Sequence, residues 1–129
     1  MRGRRGDQGA AAVEFALVLP VLVLILFAII DFGRMLNAQI TLTEAAREGA
    51  RAGAILGPAE GETRALAVAG DLGPTVDPDV TRCPDPPDPT ADVTATVTYQ
   101  FEFVTPLAAL AGLGDGTITL TGKGLMPCL

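Results

Sequence analysis

The apolar positions of this chain are concentrated in one run close to its N-terminus. Residues 10–30 read AAAVEFALVLPVLVLILFAII and carry a single charge, that of Glu14. As an α-helix, a run of this length spans about 30 Å, the thickness of the hydrocarbon core of a bilayer. Pro20 is compatible with this interpretation because membrane helices tolerate proline. The pattern therefore predicts a transmembrane helix over residues 10–30.

The flanks of the run predict its orientation. Arg2, Arg4 and Arg5 precede it, and Asp31 follows it. Because basic flanks stay on the cytoplasmic side, we expect a basic cytoplasmic leader over residues 1–9 and an extracytoplasmic domain over 31–129. A cleaved secretory signal is the alternative, but its apolar stretch is about 7–15 residues long and ends in a small-x-small site. This run is longer and lacks such a site.

Helical periodicity continues beyond the membrane segment and should end at Gly57-Pro58. At 100° per residue, one face carries Phe32 and Leu36 and then the small residues of segment 46–54, with charged side chains opposite. Small residues permit close approach, so we expect segment 46–54 to pack against a sheet or another helix.

The rest of the chain predicts a short helix and a few strands. Residues 62–72 have a helical pattern, whereas 73–92 are rich in proline and aspartate and predict an irregular, exposed loop. Strict alternation over 93–103 predicts a half-buried strand, and residues 117–125 predict a second one after a short turn or helix that begins at Pro106. The expected fold class is α+β: a long transmembrane helix that extends into a small external domain with an antiparallel strand pair or small sheet. The strand order stays open.

The composition narrows the range of functions that the chain can have. The chain has no histidine and no serine, which removes the commonest activated nucleophiles and bases. The aspartates of segment 73–92 lack the spacing of a calcium-binding loop. We therefore expect no catalytic residues, no metal and no cofactor. With a net charge of −6 and basic residues clustered only in the first five positions, nucleic acid is an unsuitable partner.

Cys83 and Cys128 are the only cysteines, and their separation excludes a CxxC motif. If residues 31–129 lie outside the cytoplasm, a disulfide between them is expected. Two free thiols are the alternative.

Three short segments carry a resemblance to a known family. Residues 9–15 read GAAAVEF, residues 31–34 read DFGR and residues 45–51 read AAREGAR. Over about residues 4–56 the chain resembles the TadE-like family of pseudopilins, which belong to the tight-adherence machinery that builds Flp-type pili in bacteria. Phe15 stands where Flp pilins favour tyrosine, which favours a minor pseudopilin over a major pilin.

The resemblance implies a non-catalytic, pilin-like subunit. The GAAAVEF segment is similar to a prepilin processing site, which implies that a prepilin peptidase cuts between Gly9 and Ala10. The implied function is that of a minor pseudopilin of a tight-adherence (Flp-type) pilus or related secretion system, located in the bacterial cytoplasmic membrane or incorporated in a pilus. Its implied partners are membrane lipid, the peptidase, other pilin or pseudopilin subunits and tight-adherence assembly components.

Glu14 and Phe15 are candidate subunit-pairing residues. A carboxylate inside a bilayer usually has a partner, and no basic residue lies within a turn or two of Glu14. Cleavage would create a cation at Ala10, and the resemblance implies that this amine pairs with Glu14 of a neighbouring subunit. The alternative is that Glu14 only marks the membrane boundary, as Asp31 does at the other end.

Two other function classes are alternatives to a pseudopilin. The first is a single-pass membrane protein whose external domain binds something unrelated to pili. Only the Gly9–Glu14 spacing and the helix beyond the membrane favour a pseudopilin over this alternative. A membrane-anchored enzyme is disfavoured by the missing residue types.

Overall fold

The computed structural model describes residues 4–128 and confirms the α+β class. Its helices are α1 (Arg4–Leu56), α2 (Pro58–Ala69) and α3 (Leu107–Leu110), and a 3-10 turn (Gly70–Leu72) follows α2. Its strands are β1 (Asp77–Val80), β2 (Asp92–Glu102) and β3 (Thr117–Pro127). They form one antiparallel sheet in the order β1-β2-β3. The second predicted helix thus begins four residues earlier than expected, because Pro58 suits a first helical position.

Strand β1 corrects the prediction that residues 73–92 are wholly irregular. It pairs with β2 between Asp77↔Thr98 and Val80↔Ala95. Pro78 lacks an N–H to donate, but β1 is an edge strand, where proline is tolerated. Val80 is buried and gives this otherwise polar segment its contact with the core.

Helix α1 packs on the sheet through small side chains and backbone, as was predicted for segment 46–54. Gly122 and Gly124 of β3 lie directly against the main-chain carbonyls of Leu42 and Ala46, which leaves no room for a Cβ atom. Gly49 faces both α2 and the sheet, since a Cβ there would lie 3.1 Å from Ala65 Cβ of α2 and 3.6 Å from Ala95 Cβ of β2. The helix therefore packs closely on both the sheet and α2 only because these positions lack side chains.

The prediction of which face of α1 enters the core is partly wrong. Phe32 and Leu36 are exposed, Phe32 by 61%, whereas Asp31, Ala38 and Leu42 are buried. The sheet packs on the stripe of α1 that contains Asp31, Ala38 and Leu42. The residues that continue this stripe are small, and they permit the close contact with β3. Phe32 and Leu36 consequently lie outside this contact and are exposed.

The predicted alternation of β2 is confirmed. Val93, Ala95, Val97 and Phe101 are buried under the helices, and the intervening side chains are half-buried or exposed. The rings of Phe101 and Phe103 meet edge to face, with centroids 5.4 Å apart. The sheet thus covers the helices with one face only.

We predict that Gly122→Ala destabilises the external domain by about 1–3 kcal/mol or more, because the added methyl group overlaps the Leu42 carbonyl. Gly114→Ala is the control, since a Cβ there meets no atom within 4 Å. Urea unfolding can be followed by the fluorescence of Tyr99, the only tyrosine in a chain without tryptophan. Equal midpoints for the two variants would contradict the close contact.

Candidate membrane and subunit interface

One helix in the described part of the chain is long and apolar enough to cross a membrane. It covers Gly9–Leu56, and its most apolar 18-residue window has a mean hydropathy of 3.0 with no residue buried. Side chains of the 10–30 segment are almost all exposed in the isolated chain. An apolar surface of this extent requires lipid or other subunits around it.

The predicted processing and pairing residues all lie near the start of α1. Gly9, Ala10, Glu14 and Phe15 are exposed. Ala10 and Glu14 are four residues apart, so they lie on one face of the helix, about 6 Å apart along its axis. Within residues 9–128 of the structure, the Glu14 carboxylate takes part in no hydrogen bond or salt bridge.

Gly9 has no packing reason to be glycine. A Cβ at this position would meet no atom within 4 Å, and the residue is helical. Glycine weakens a helix interior by about 1 kcal/mol relative to alanine. The helix is thus locally weakened at the bond that precedes Ala10, and nothing in the fold requires it. Arg2 and the other residues before Arg4 lie outside the described part of the chain.

Asp31, interpreted from the sequence as a boundary marker, has a structural role that sequence reasoning missed. Only 2% of its surface is exposed. Its carboxylate accepts hydrogen bonds from the Val104 N–H (3.1 Å) and the Thr105 N–H (3.2 Å), and also from the Thr105 hydroxyl. It therefore fixes the start of the β2–β3 loop, residues 103–116, to the end of the apolar segment.

Burial raises the pKa of Asp31, but the hydrogen bonds from Thr105 and Val104, together with the charge of Arg34, outweigh this effect. The pKa of this carboxyl therefore lies below its ordinary value. Arg34 lies one turn further along α1 and donates to Asp31 (3.4 Å) and to the Glu102 carbonyl (3.3 Å). Its guanidinium carbon also lies 5.1 Å from the centre of the Phe101 ring. The spacing of Asp31 and Arg34 could have suggested their ion pair, but no sequence signal identifies the loop as their partner.

The predicted disulfide is present in the structure. Cys83 follows β1 and Cys128 follows β3, and their Cα atoms lie 5.8 Å apart. Cys128 is buried against Val93 and Ala50, while Cys83 is half-buried. The bond ties the two outer strands together at the end of the domain far from Asp31.

Clusters of three or more potential metal-ligating side chains are absent from residues 9–128. The clefts of the domain are shallow surface depressions. One of about 260 Å³ is lined by Thr75, Tyr99 and Gln100, among others, and none of its lining side chains is a nucleophile paired with a base.

These features define a small α+β protein whose N-terminal helix is suited to anchor it in a membrane. Residues 9–51, about a third of the chain, match the family model described as TadE-like protein. The match confirms the resemblance inferred from the GAAAVEF and AAREGAR segments. It covers the predicted membrane segment and most of the part of α1 that packs on the sheet, and it stops before α2. No curated protein and no solved structure matches the chain.

We predict that Asp31→Ala releases the start of the β2–β3 loop. Loss of hydrogen bonds to a buried charge costs about 1.5–3 kcal/mol. Amide exchange at Val104 and Thr105 should therefore be about tenfold faster or more, measured by hydrogen–deuterium exchange in micelles. Asp115→Ala is the control, because Asp115 is exposed and accepts a bond only from nearby Thr117. Unchanged exchange in the Asp31 variant would refute the role of its carboxylate.

We also predict that protein recovered from the cell envelope carries the Cys83–Cys128 bond. After denaturation without reductant, trypsin should release residues 83–123 and 124–129 as one linked species, because Arg82 and Lys123 flank them. The bond spans 45 residues, so replacing both cysteines by alanine should lower the free energy of unfolding by about 4 kcal/mol. Full labelling of both thiols without reductant is the contrary result.

Proposed function

We propose that this protein is a non-catalytic minor pseudopilin of a tight-adherence (Flp-type) pilus or a related secretion system. The observation that carries the proposal is the TadE-like match over residues 9–51. The matched segment includes an apolar helix whose side chains are exposed in the isolated chain. A membrane-embedded subunit that aids pilus assembly needs such a helix for both its lipid and its subunit contacts.

The proposed topology places residues 1–9 in the cytoplasm and residues 31–129 outside it. Arg4 and Arg5 precede the apolar segment, and basic flanks are retained in the cytoplasm. The Cys83–Cys128 bond supports this orientation, because disulfides persist in oxidising compartments. The basic residues near the N-terminus and the disulfide in the C-terminal half therefore support the same orientation.

Processing would occur between Gly9 and Ala10, by a prepilin peptidase. The glycine is exposed and unneeded by the fold, which suits a residue kept for recognition by an enzyme. Cleavage there would give the shortened helix a new N-terminus, with a cationic amine one turn from Glu14.

Glu14 would then pair with the amine of Ala10 on a neighbouring subunit. An isolated carboxylate at the centre of a bilayer costs about 3 kcal/mol by insertion scales, and less near the edge. Pairing across subunits removes this cost only when two helices align in register. Phe15 is also exposed, and it would add apolar contact beside that pair.

We predict that Gly9→Leu blocks processing without affecting the fold. A leucine side chain fits the open space around residue 9 and strengthens the helix, but it would hinder access to the bond before Ala10. Intact-mass measurement of the membrane-extracted protein should show residues 1–9 retained. Gly33→Leu is the matched control, since Gly33 has equally open surroundings in the same helix. Retention of residues 1–9 in the wild-type protein would refute processing at this bond.

We predict that Glu14→Ala leaves membrane insertion intact or improves it, while association with other pilin subunits falls about tenfold, as expected when a contact worth about 1.4 kcal/mol is lost. Co-purification with the pilin partners is the measurement. Glu14→Gln isolates the contribution of charge, and Val18→Ala, one turn away and also exposed, controls for loss of side-chain volume. Wild-type co-purification and piliation with Glu14→Ala would refute the pairing.

A further inference from the structure

The β2–β3 loop has an unusual surface for a segment of an exposed domain. Residues 103–114 read FVTPLAALAGLG and carry no charge. Val104, Leu110 and Leu113 are exposed, Leu110 by 68%. Exposed apolar side chains that cluster in one segment mark a contact with lipid or protein, so these side chains require an explanation.

The position of the loop supplies one. Hydrogen bonds from Val104 and Thr105 to Asp31 hold its start beside the first residue after the apolar segment. Strand β3 then runs along α1 away from the membrane segment, because Thr121 bonds to Gln39 while Gly124 lies further along, against Ala46. The loop that precedes β3 therefore lies at the end of the domain nearest the predicted bilayer.

The distribution of charge agrees with that position. Glu102 and Asp115 bracket the uncharged stretch: Glu102 is the last residue of β2, and Asp115 lies two residues before β3. On α1 the exposed Phe32 follows Asp31, so it extends the apolar surface at the same level. Apolar side chains that surround polar backbone groups suit the boundary between headgroups and acyl chains.

We propose that the β2–β3 loop is seated in the outer interface of the lipid bilayer, with Leu110 and Leu113 in contact with the acyl chains. The inference rests on the membrane anchor of the proposed function and adds a second lipid contact to it. Two contacts, one by the helix and one by the loop, would hold the external domain at a defined tilt above the membrane. Asp31 couples the two, because its side chain links the helix to the loop.

The absence of tryptophan from the chain allows a direct test. Leu110→Trp places a single tryptophan in the loop of the full-length protein. Leu125→Trp is the matched control, since Leu125 is 66% exposed but lies at the far end of β3, about 26 Å beyond Thr117. Leu22→Trp, in the exposed apolar segment, reports on insertion itself.

Each variant is reconstituted into phosphatidylcholine–phosphatidylglycerol vesicles whose acyl chains are brominated, which quenches tryptophan at short range. We expect Leu22→Trp and Leu110→Trp to lose about half of their emission or more, and Leu125→Trp to lose little, because only the first two would lie at acyl-chain depth. Val104→Trp is a second loop variant with the same expected quenching. Circular dichroism checks that each variant is folded.

The outcomes separate this inference from the anchor. If Leu22→Trp is quenched while both loop variants match Leu125→Trp, the loop does not contact lipid and the inference is wrong, although the anchor stands. If Leu22→Trp is not quenched, the anchor and the inference fail together. Loop variants that are shielded from acrylamide but not quenched by bromolipid, in a manner that depends on protein density, would assign the surface to another subunit and also overturn the inference.

Discussion

Backbone-to-backbone contact between helix α1 and strand β3 is the constraint on which the external domain depends. The chain has five phenylalanines, one tyrosine and no tryptophan, so it lacks the large side chains that usually fill a core. Gly122 and Gly124 reduce the volume that must be filled, because they let the helix lie directly on the strand. The largest side chains that are fully buried, Phe101 and Leu42, then suffice near the membrane end. At the other end the disulfide takes their place.

This close contact also decides which face of α1 is available for other partners. The sheet occupies the stripe that contains Asp31, Ala38 and Leu42. Phe32 and Leu36, which are larger and would prevent so close an approach, are exposed outside this stripe and continue the apolar surface of segment 10–30. A single helix thus changes at Asp31 from a surface apolar on all sides to one that is buried on one side only.

The parts of the fold with a simple period could be predicted from sequence. The apolar run, the alternation in β2 and the helix end at Gly57 were all identified, because each depends on neighbours along the chain. Strand β1 was missed because Asp77 and Pro78 are poor strand formers, and only pairing with β2 makes their segment extended. The role of Asp31 was missed for a similar reason, since its partners lie more than seventy residues away. The candidate residues Gly9, Ala10, Glu14 and Phe15 were recognised by resemblance rather than by physical pattern, and their roles stay predictions.

The two carboxylates that bracket the apolar segment differ in the way that matters for function. Asp31 is buried, and donors from its own chain satisfy both of its oxygens. Glu14 is exposed on a surface suited to lipid, and within residues 9–128 its carboxylate has neither a hydrogen bond nor an ion pair. A carboxylate in the hydrocarbon region is costly and usually has a partner, which is why the proposed function assigns one to Glu14. Asp31 therefore organises the protein itself, whereas Glu14 is the carboxylate that the proposal pairs with another subunit.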